Sequence, residues 1–201
     1  MNMYLKRIMD LSVAIFLLFS FLPLMVFAAA LIKATSSGPI LFRQKRLGRD
    51  LVPFTMLKFR TMVHNAEQMG TGLFSHHDDP RITWIGQILR RTSLDELPQL
   101  LNVIGGSMSI VGPRPPVTYE LGDPSAFDPP TRARFNVNPG ITGLAQVSGR
   151  NELSWTDKIA KDNEYIRLLL KWGILVDLWI LSKTALIVIG MSGVIEPKRG
   201  A

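Results

Sequence analysis

The sequence predicts a mainly α-helical protein with one small β-hairpin: a single compact cytoplasmic domain on a re-entrant membrane helix, with amphipathic helices at the interface. Three observations lead there. Leu11–Ile32 is a run of 22 residues without a charge, and roughly 20 apolar residues cross a bilayer core. Lysine and arginine flank that run on both sides. Beyond it, most regular segments read as helices and only two short neighbours are β-rich. A chain of 201 residues suits one domain plus a membrane element, divided here into an anchor, 1–35, and a catalytic domain, 36–201.

Composition narrows the class. Apolar residues make up 47% and charged residues 19%, too apolar for a disordered chain. Without cysteine there is no disulfide framework, thiolate zinc site or cysteine nucleophile. Only one stretch is long and apolar enough to enter a bilayer unaided, which excludes a polytopic transporter. Lys+Arg minus Asp+Glu is 23 − 16 = +7, a balance that suits an anionic partner.

The anchor admits three readings. Lys6 and Arg7 before the run and Ala28-Ala29-Ala30 near its end fit a signal peptide, but the run is long for one and Asp10 sits beside it. A spanning helix should have one flank poor in positive charge. Here one flank holds Lys6 and Arg7, and the other Lys33, Arg43, Lys45, Arg46 and Arg49. Two positive flanks favour the re-entrant reading, with both ends on the cytoplasmic face. Pro23 splits the run into halves of about 18 and 14 Å, each roughly half the hydrocarbon depth. Proline also frees the carbonyl of Phe19, for which the Ser20 hydroxyl is a candidate partner. The bland alternative for Pro23 is a kink in a spanning helix.

The remaining elements follow in order. Pro39–Gln44 and Phe54–Phe59, with a turn at Leu47–Asp50, predict a hairpin. His64–Pro80 is polar and reads as a loop. Ile82–Arg91 reads as a helix with its basic end C-terminal, and Leu97–Ile104 as another ending at Gly105-Gly106. Gly112–Gly149 has little periodicity and reads as ordered loop. Thr156–Lys171 is a polar helix. Trp172–Gly190 is apolar but carries Asp177 and Lys183; it reads equally as an interfacial amphipathic helix or as a core helix.

Common nucleotide-binding and zinc-protease signatures are absent, as is a D-x-D pair. His76-His77-Asp78-Asp79 has metal-ligand types at diverging spacing and reads as a solvated loop. The informative stretch is Arg90-Arg91-Thr92-Ser93-Leu94-Asp95-Glu96-Leu97-Pro98. Ser93-x-x-Glu96 fits a capping box, and spacing alone favours capping over catalysis. Either way the acidic pair stands where a helix begins, where anions are favoured. Gly112-Pro113-Arg114-Pro115-Pro116 fixes its backbone by proline and so aims Arg114, which suits bidentate phosphate binding. The glycines of Pro139–Asn151 allow close backbone approach to a ligand.

Six segments in this order resemble the bacterial sugar transferases known as small monotopic phosphoglycosyl transferases. They are Phe42–Gly48, Lys58–Met62, Asp79–Thr83, the Asp95-Glu96 stretch, Val111–Pro115 and Pro139–Asn151. The resemblance implies transfer of a sugar 1-phosphate from a UDP-sugar to polyprenyl (undecaprenyl) phosphate, with release of UMP and a requirement for Mg²⁺. It implies initiation of a membrane-linked glycan at the cytoplasmic face of the bacterial inner membrane. It makes Asp95 the nucleophile, Glu96 its partner in the acidic dyad, and both metal-holding residues. Arg90 and Arg114 match phosphate-contacting positions, with Lys58, Arg60 and Arg150 as further candidates. Family members often place Ser before the helix-breaking proline, where this chain has Leu22-Pro23. Anionic lipid is a further expected partner, at about 1 kcal/mol per Lys or Arg near the surface. A non-catalytic membrane scaffold for glycan assembly is the alternative function. No nucleic acid is expected, because the basic residues are dispersed and no recognition motif is present.

Overall fold

The computed structural model describes residues 3–69, 79–149 and 153–190. Its spine is α1, Met3–Thr35, about 50 Å long at 1.5 Å per residue. The helix is apolar on nearly every side, yet one stripe is buried: Lys6, Asp10 and Ala14, then Met25, Ala28 and Ile32. Spacings of three and four keep each set on one face. The eleven residues from Ala14 to Met25 make three turns, which returns both sets to the same side. Residues 19–24, between them, are all exposed. Helical backbone runs through Pro23, so the expected break does not divide α1 into two elements. A proline forfeits one hydrogen bond and crowds one carbonyl, a loss that the turns on either side hold together around.

The hairpin is present: its first strand begins two and ends three residues later than expected, and its second begins one residue earlier. Strands β1, Leu41–Leu47, and β2, Pro53–Phe59, pair antiparallel from Leu41 opposite Phe59 to Leu47 opposite Pro53. Asp50 and Leu51 both adopt left-handed backbone in the turn. Helix α2, Trp84–Arg91, begins two residues later than expected, because the Thr83 hydroxyl caps it by accepting from the Gly86 N–H at 3.0 Å. Helix α3, Gln99–Ile104, follows Pro98.

The stretch expected as loop from residue 112 to 149 contains more order than its composition suggests. Strand β3, Ser109–Val111, just before the stretch, runs parallel to β4, Gly140–Thr142, within it, and the stretch also holds the short helices α4, Pro129–Ala133, and α5, Leu144–Ser148. A Cβ at Gly112 would collide with the Asn138 carbonyl, and one at Gly140 with the Gly112 N–H. Close crossing of bare backbone replaces side-chain periodicity here. Helix α6, Trp155–Trp172, is capped by Ser154, and Gly173, at φ 61, turns the chain into α7, Ile174–Ile189.

Two cores result. Ala14, Met56, Leu100, Val103, Ile110, Tyr165 and Ile180 belong to the larger. Met25, Ala28, Ile32, Phe59, Ile85 and Leu89 form the smaller. Helix α1 lines both. Each fully buried large apolar side chain contributes on the order of 1.5–3 kcal/mol. Helix α7 divides its faces: Val176, Asp177 and Ile180 are buried, while Leu175, Leu178, Trp179 and Leu186 are exposed.

Candidate active site

The acidic pair occupies a 3-10 turn, Leu94–Glu96, entered through Ser93 at φ 57. Left-handed backbone at a non-glycine residue costs of order 1 kcal/mol. Leu94 and Leu97 pack against the smaller core, and in this tight geometry residues three apart point the same way. Asp95 and Glu96, between these two anchors, are therefore turned from the core toward the site. The capping box does not form: Ser93 makes no side-chain cap bond, and the Glu96 carboxylate is engaged elsewhere.

That engagement defines the site. Lys58 Nζ lies 2.7 Å from Glu96 Oε1, and Arg114 Nη1 lies 3.4 Å from the same oxygen. Lys58 comes from β2, Glu96 from the turn before α3, and Arg114 from the proline-rich turn after β3. Asn102 holds the first two elements in register. Its side-chain oxygen accepts from the Leu57 N–H at 3.0 Å, and its amide donates to the Thr55 carbonyl at 2.8 Å. Buried polarity within an apolar helix was the signal for Asn102, though in sequence it reads only as a polar residue. Arg90, on the last turn of α2, donates from Nε to Thr61 Oγ1 at 2.9 Å, and its charge acts on Asp95.

Asp95 itself is 9% exposed and has no hydrogen-bond or ion-pair partner among the described residues. Burial pushes its carboxyl up to about 6. Lys58, Arg90 and Arg114 oppose that rise, and the neighbouring Glu96 adds to it. Burial pushes Glu96 upward as well, but Lys58 and Arg114 outweigh it and hold that carboxyl down at about 2. Two adjacent carboxylates are thus driven apart: one is permanently ionised and neutralised, the other is unpaired and more basic than usual. Such a split marks sites where carboxylates take different roles.

Of the other expected residues, Arg60 does not join this group. It follows the last residue of β2, and its guanidinium donates to the Ser36 carbonyl at 2.9 Å and the Ser36 hydroxyl at 2.7 Å. It fastens the end of α1 to the hairpin. Arg150 lies outside the described residues, as do His76, His77 and Asp78. Asp79 pairs with Arg81 at 2.6 Å.

Among the described residues no three His, Cys, Asp or Glu side chains converge as a metal site. The oxygen donors of Asp95 and Glu96 nonetheless fit a hard cation such as Mg²⁺, which commonly takes one or two carboxylates and completes its shell with water and substrate phosphate. Asp95, having no partner, is the freer donor.

An unpaired buried carboxylate ringed by cations has the charge to receive an anionic group. The chain belongs to the bacterial sugar transferase family, whose model matches residues 1–191. It is 39% identical to the exopolysaccharide production protein ExoY of Sinorhizobium fredii, over 89% of this chain and 83% of that one. It is 41% identical to an uncharacterized sugar transferase of Bacillus subtilis, EpsL, over 96% and 91%. It is 44% identical to the UDP-glucose:undecaprenyl-phosphate glucose-1-phosphate transferase of Caulobacter vibrioides, over 89% and 67%.

Proposed function

We propose that this transferase moves a sugar 1-phosphate from a UDP-sugar to undecaprenyl or a similar polyprenyl phosphate, releases UMP, and so begins a membrane-linked glycan. The observation that carries this reading is Asp95, buried and unpaired beside Lys58, Arg90 and Arg114. A relative named for UDP-glucose and undecaprenyl phosphate, and one named for exopolysaccharide production, support the same substrates and product class.

A carboxylate oxygen of Asp95 attacks the phosphorus that bears the sugar. The new P–O bond forms as the bond to the bridging oxygen breaks, and UMP leaves with the electron pair. An oxygen of the polyprenyl phosphate then attacks the same phosphorus. The acyl phosphate bond breaks, the Asp95 carboxylate is regenerated, and no proton is gained or lost over the cycle. Splitting one difficult displacement in two is the use of a covalent intermediate. Lys58 neutralises Glu96, so the dyad's second charge does not repel the incoming diphosphate. Arg90 and Arg114 draw that diphosphate in and offset charge as UMP departs. Asp95 and Glu96 would hold Mg²⁺, whose charge, when bound, offsets repulsion between carboxylate and diphosphate.

The membrane reading is re-entrant, with both ends of α1 on the cytoplasmic face of the bacterial inner membrane. Among the described residues, α1 is the one helix long and apolar enough to cross a membrane. Both halves of α1 bury a stripe, and residues 19–24, around Pro23, are its longest unbroken exposed stretch. This supports a helix whose middle dips into lipid while its ends stay at the surface. The exposed Trp179, Leu175 and Leu186 of α7 suit the same interface and its anionic lipid. Such a placement meets the acceptor phosphate at headgroup depth without extracting its lipid tail.

The experiment is UMP release from a panel of UDP-sugars, UDP-glucose first, with undecaprenyl phosphate in native-like lipid. Wild-type protein releases UMP and retains a labelled sugar phosphate on the peptide containing Asp95. Near-normal turnover by Asp95→Asn removes Asp95 as nucleophile, and silence with every donor favours the scaffold instead.

A further inference from the structure

Arg114 is aimed by a turn that cannot hold itself. Of the five residues Gly112–Pro116, three are prolines without an N–H, so the segment has four consecutive carbonyls, Pro113 to Pro116, and few donors of its own. Every one of the four receives a donor from elsewhere in the chain. The Gly140 N–H donates to the Pro113 carbonyl at 2.9 Å, and the Leu47 N–H to the Pro116 carbonyl at 3.0 Å. Between them, Arg134 Nη2 donates to the Arg114 carbonyl at 2.7 Å, and Arg46 Nη1 to the Pro115 carbonyl at 2.9 Å.

Both guanidiniums are themselves fixed. Arg134 is 2% exposed. Its Nε donates to Asp162 Oδ2 at 2.9 Å, and its guanidinium carbon stands 5.3 Å from the ring centres of both Phe135 and Trp155. Arg46 donates from Nε and Nη2 to Gln44 Oε1 at 2.9 and 2.6 Å and lies 3.8 Å from Glu120. The Arg114 side chain, by contrast, is 45% exposed and among the described residues pairs with Glu96 alone. Its backbone is clamped, while its head is half-exposed and held only by that long contact to Glu96. Burying arginines to grip carbonyls is costly unless fully paired, and ordinary turns use backbone or water for that purpose. An exposed arginine on a rigid base loses little entropy when an anion arrives.

We propose that Arg46 and Arg134 are positioning residues that act through Arg114, preorganising it for the substrate diphosphate. Neither bonds the dyad, although the Arg46 charge feels Glu96; Arg134 grips the carbonyl of the Arg114–Pro115 peptide and Arg46 that of the next, Pro115–Pro116. The inference rests on the reading of Arg114 as a phosphate contact.

A double-mutant cycle tests it. Arg46→Gln lowers kcat/KM for the UDP-sugar about ten-fold, the scale of one lost charge-assisted hydrogen bond, but less than about two-fold when Arg114 is already Ala. Arg46→Lys, which keeps a donor, recovers most of the loss. An equal cost of Arg46→Gln in both backgrounds overturns the proposal, because a general structural role would not depend on Arg114. Arg134→Lys is the second arm; if it does not fold, the Arg46 cycle decides alone. Should wild-type protein release no UMP at all, the proposed function fails separately. The clamp is then judged by hydrogen–deuterium exchange of the peptide 112–117: faster exchange in Arg46→Gln supports it, and unchanged exchange overturns it.

Discussion

Lys6 and Asp177, 171 residues apart in the chain, meet in the interior with Nζ 2.8 Å from Oδ2. Lys6 also donates to the Val111 carbonyl at 3.2 Å, and Tyr165 donates its hydroxyl to Asp177 at 2.8 Å. Nearby, Asp10 accepts from the Ser109 hydroxyl and the Ile110 N–H. The first helix is thus bolted by charge to α7 and β3, and Tyr165 ties α6 to the same Asp177. Removing one partner strands the other in a dry interior, which costs about 3–5 kcal/mol. Lys6→Met should therefore lower the thermal midpoint sharply, and Lys6→Met with Asp177→Leu should regain most of it. Equal midpoints for wild type and Lys6→Met would show that the pair is not buried.

Activity should follow the ionisation of Asp95. Its carboxyl sits at about 6, so kcat/KM should fall with unit slope as pH drops below that value. A profile flat from pH 7.5 to 5 would assign the attacking group elsewhere.

The same burial sets a stability trade. The raised carboxyl means that the ionised form opposes folding. That penalty is absent below the ordinary value near 3.8, grows as pH rises through the shifted one, and is complete above it. Asp95→Asn should abolish turnover yet stabilise the protein by about 1–3 kcal/mol at pH 7.5. Thermal unfolding at pH 7.5 and pH 4 checks it, with the difference shrinking at the lower pH.

Gly86 seats α2 directly on the hairpin's exit. A Cβ there would run into the Thr61 carbonyl, and Arg90 depends on the same residue through Thr61 Oγ1. Gly86→Ala should cost about 1–3 kcal/mol and also weaken donor binding by displacing Arg90. A rise in KM for the UDP-sugar without loss of the fold is the informative result.

The native chain has no cysteine, so single cysteines report topology cleanly. Leu5→Cys in the first turns of α1 and Ser37→Cys just beyond its end mark its two ends, and both should be labelled from the same side in sealed vesicles. Labelling from opposite sides would make α1 a spanning helix.

Helices and hairpin were legible because their signals are local: the 22-residue apolar run, the β-rich pair, Gly105 after α3. Boundaries moved where a cap decided them, as Thr83 did for α2. The parallel pair β3–β4 was not legible, since it depends on Gly112 and Gly140 crossing at backbone distance, and glycine leaves no periodic trace. At the site, Asp95, Glu96, Arg90 and Arg114 stood out through motif order and family resemblance. The Lys58–Glu96 pair and the service of Arg60 to Ser36 are long-range geometry that no spacing rule encodes. Arg134 read as one basic residue among many, because its value lies in what it grips.

Because α1 lines both cores, it is a wall of the fold, not a leash. Trimming it in search of a soluble enzyme would open both interiors and strand Asp177 and Arg60. Detergent or nanodisc preparation of the intact chain is accordingly the route to a working protein, and lipids that distort α1 would be felt directly at the dyad.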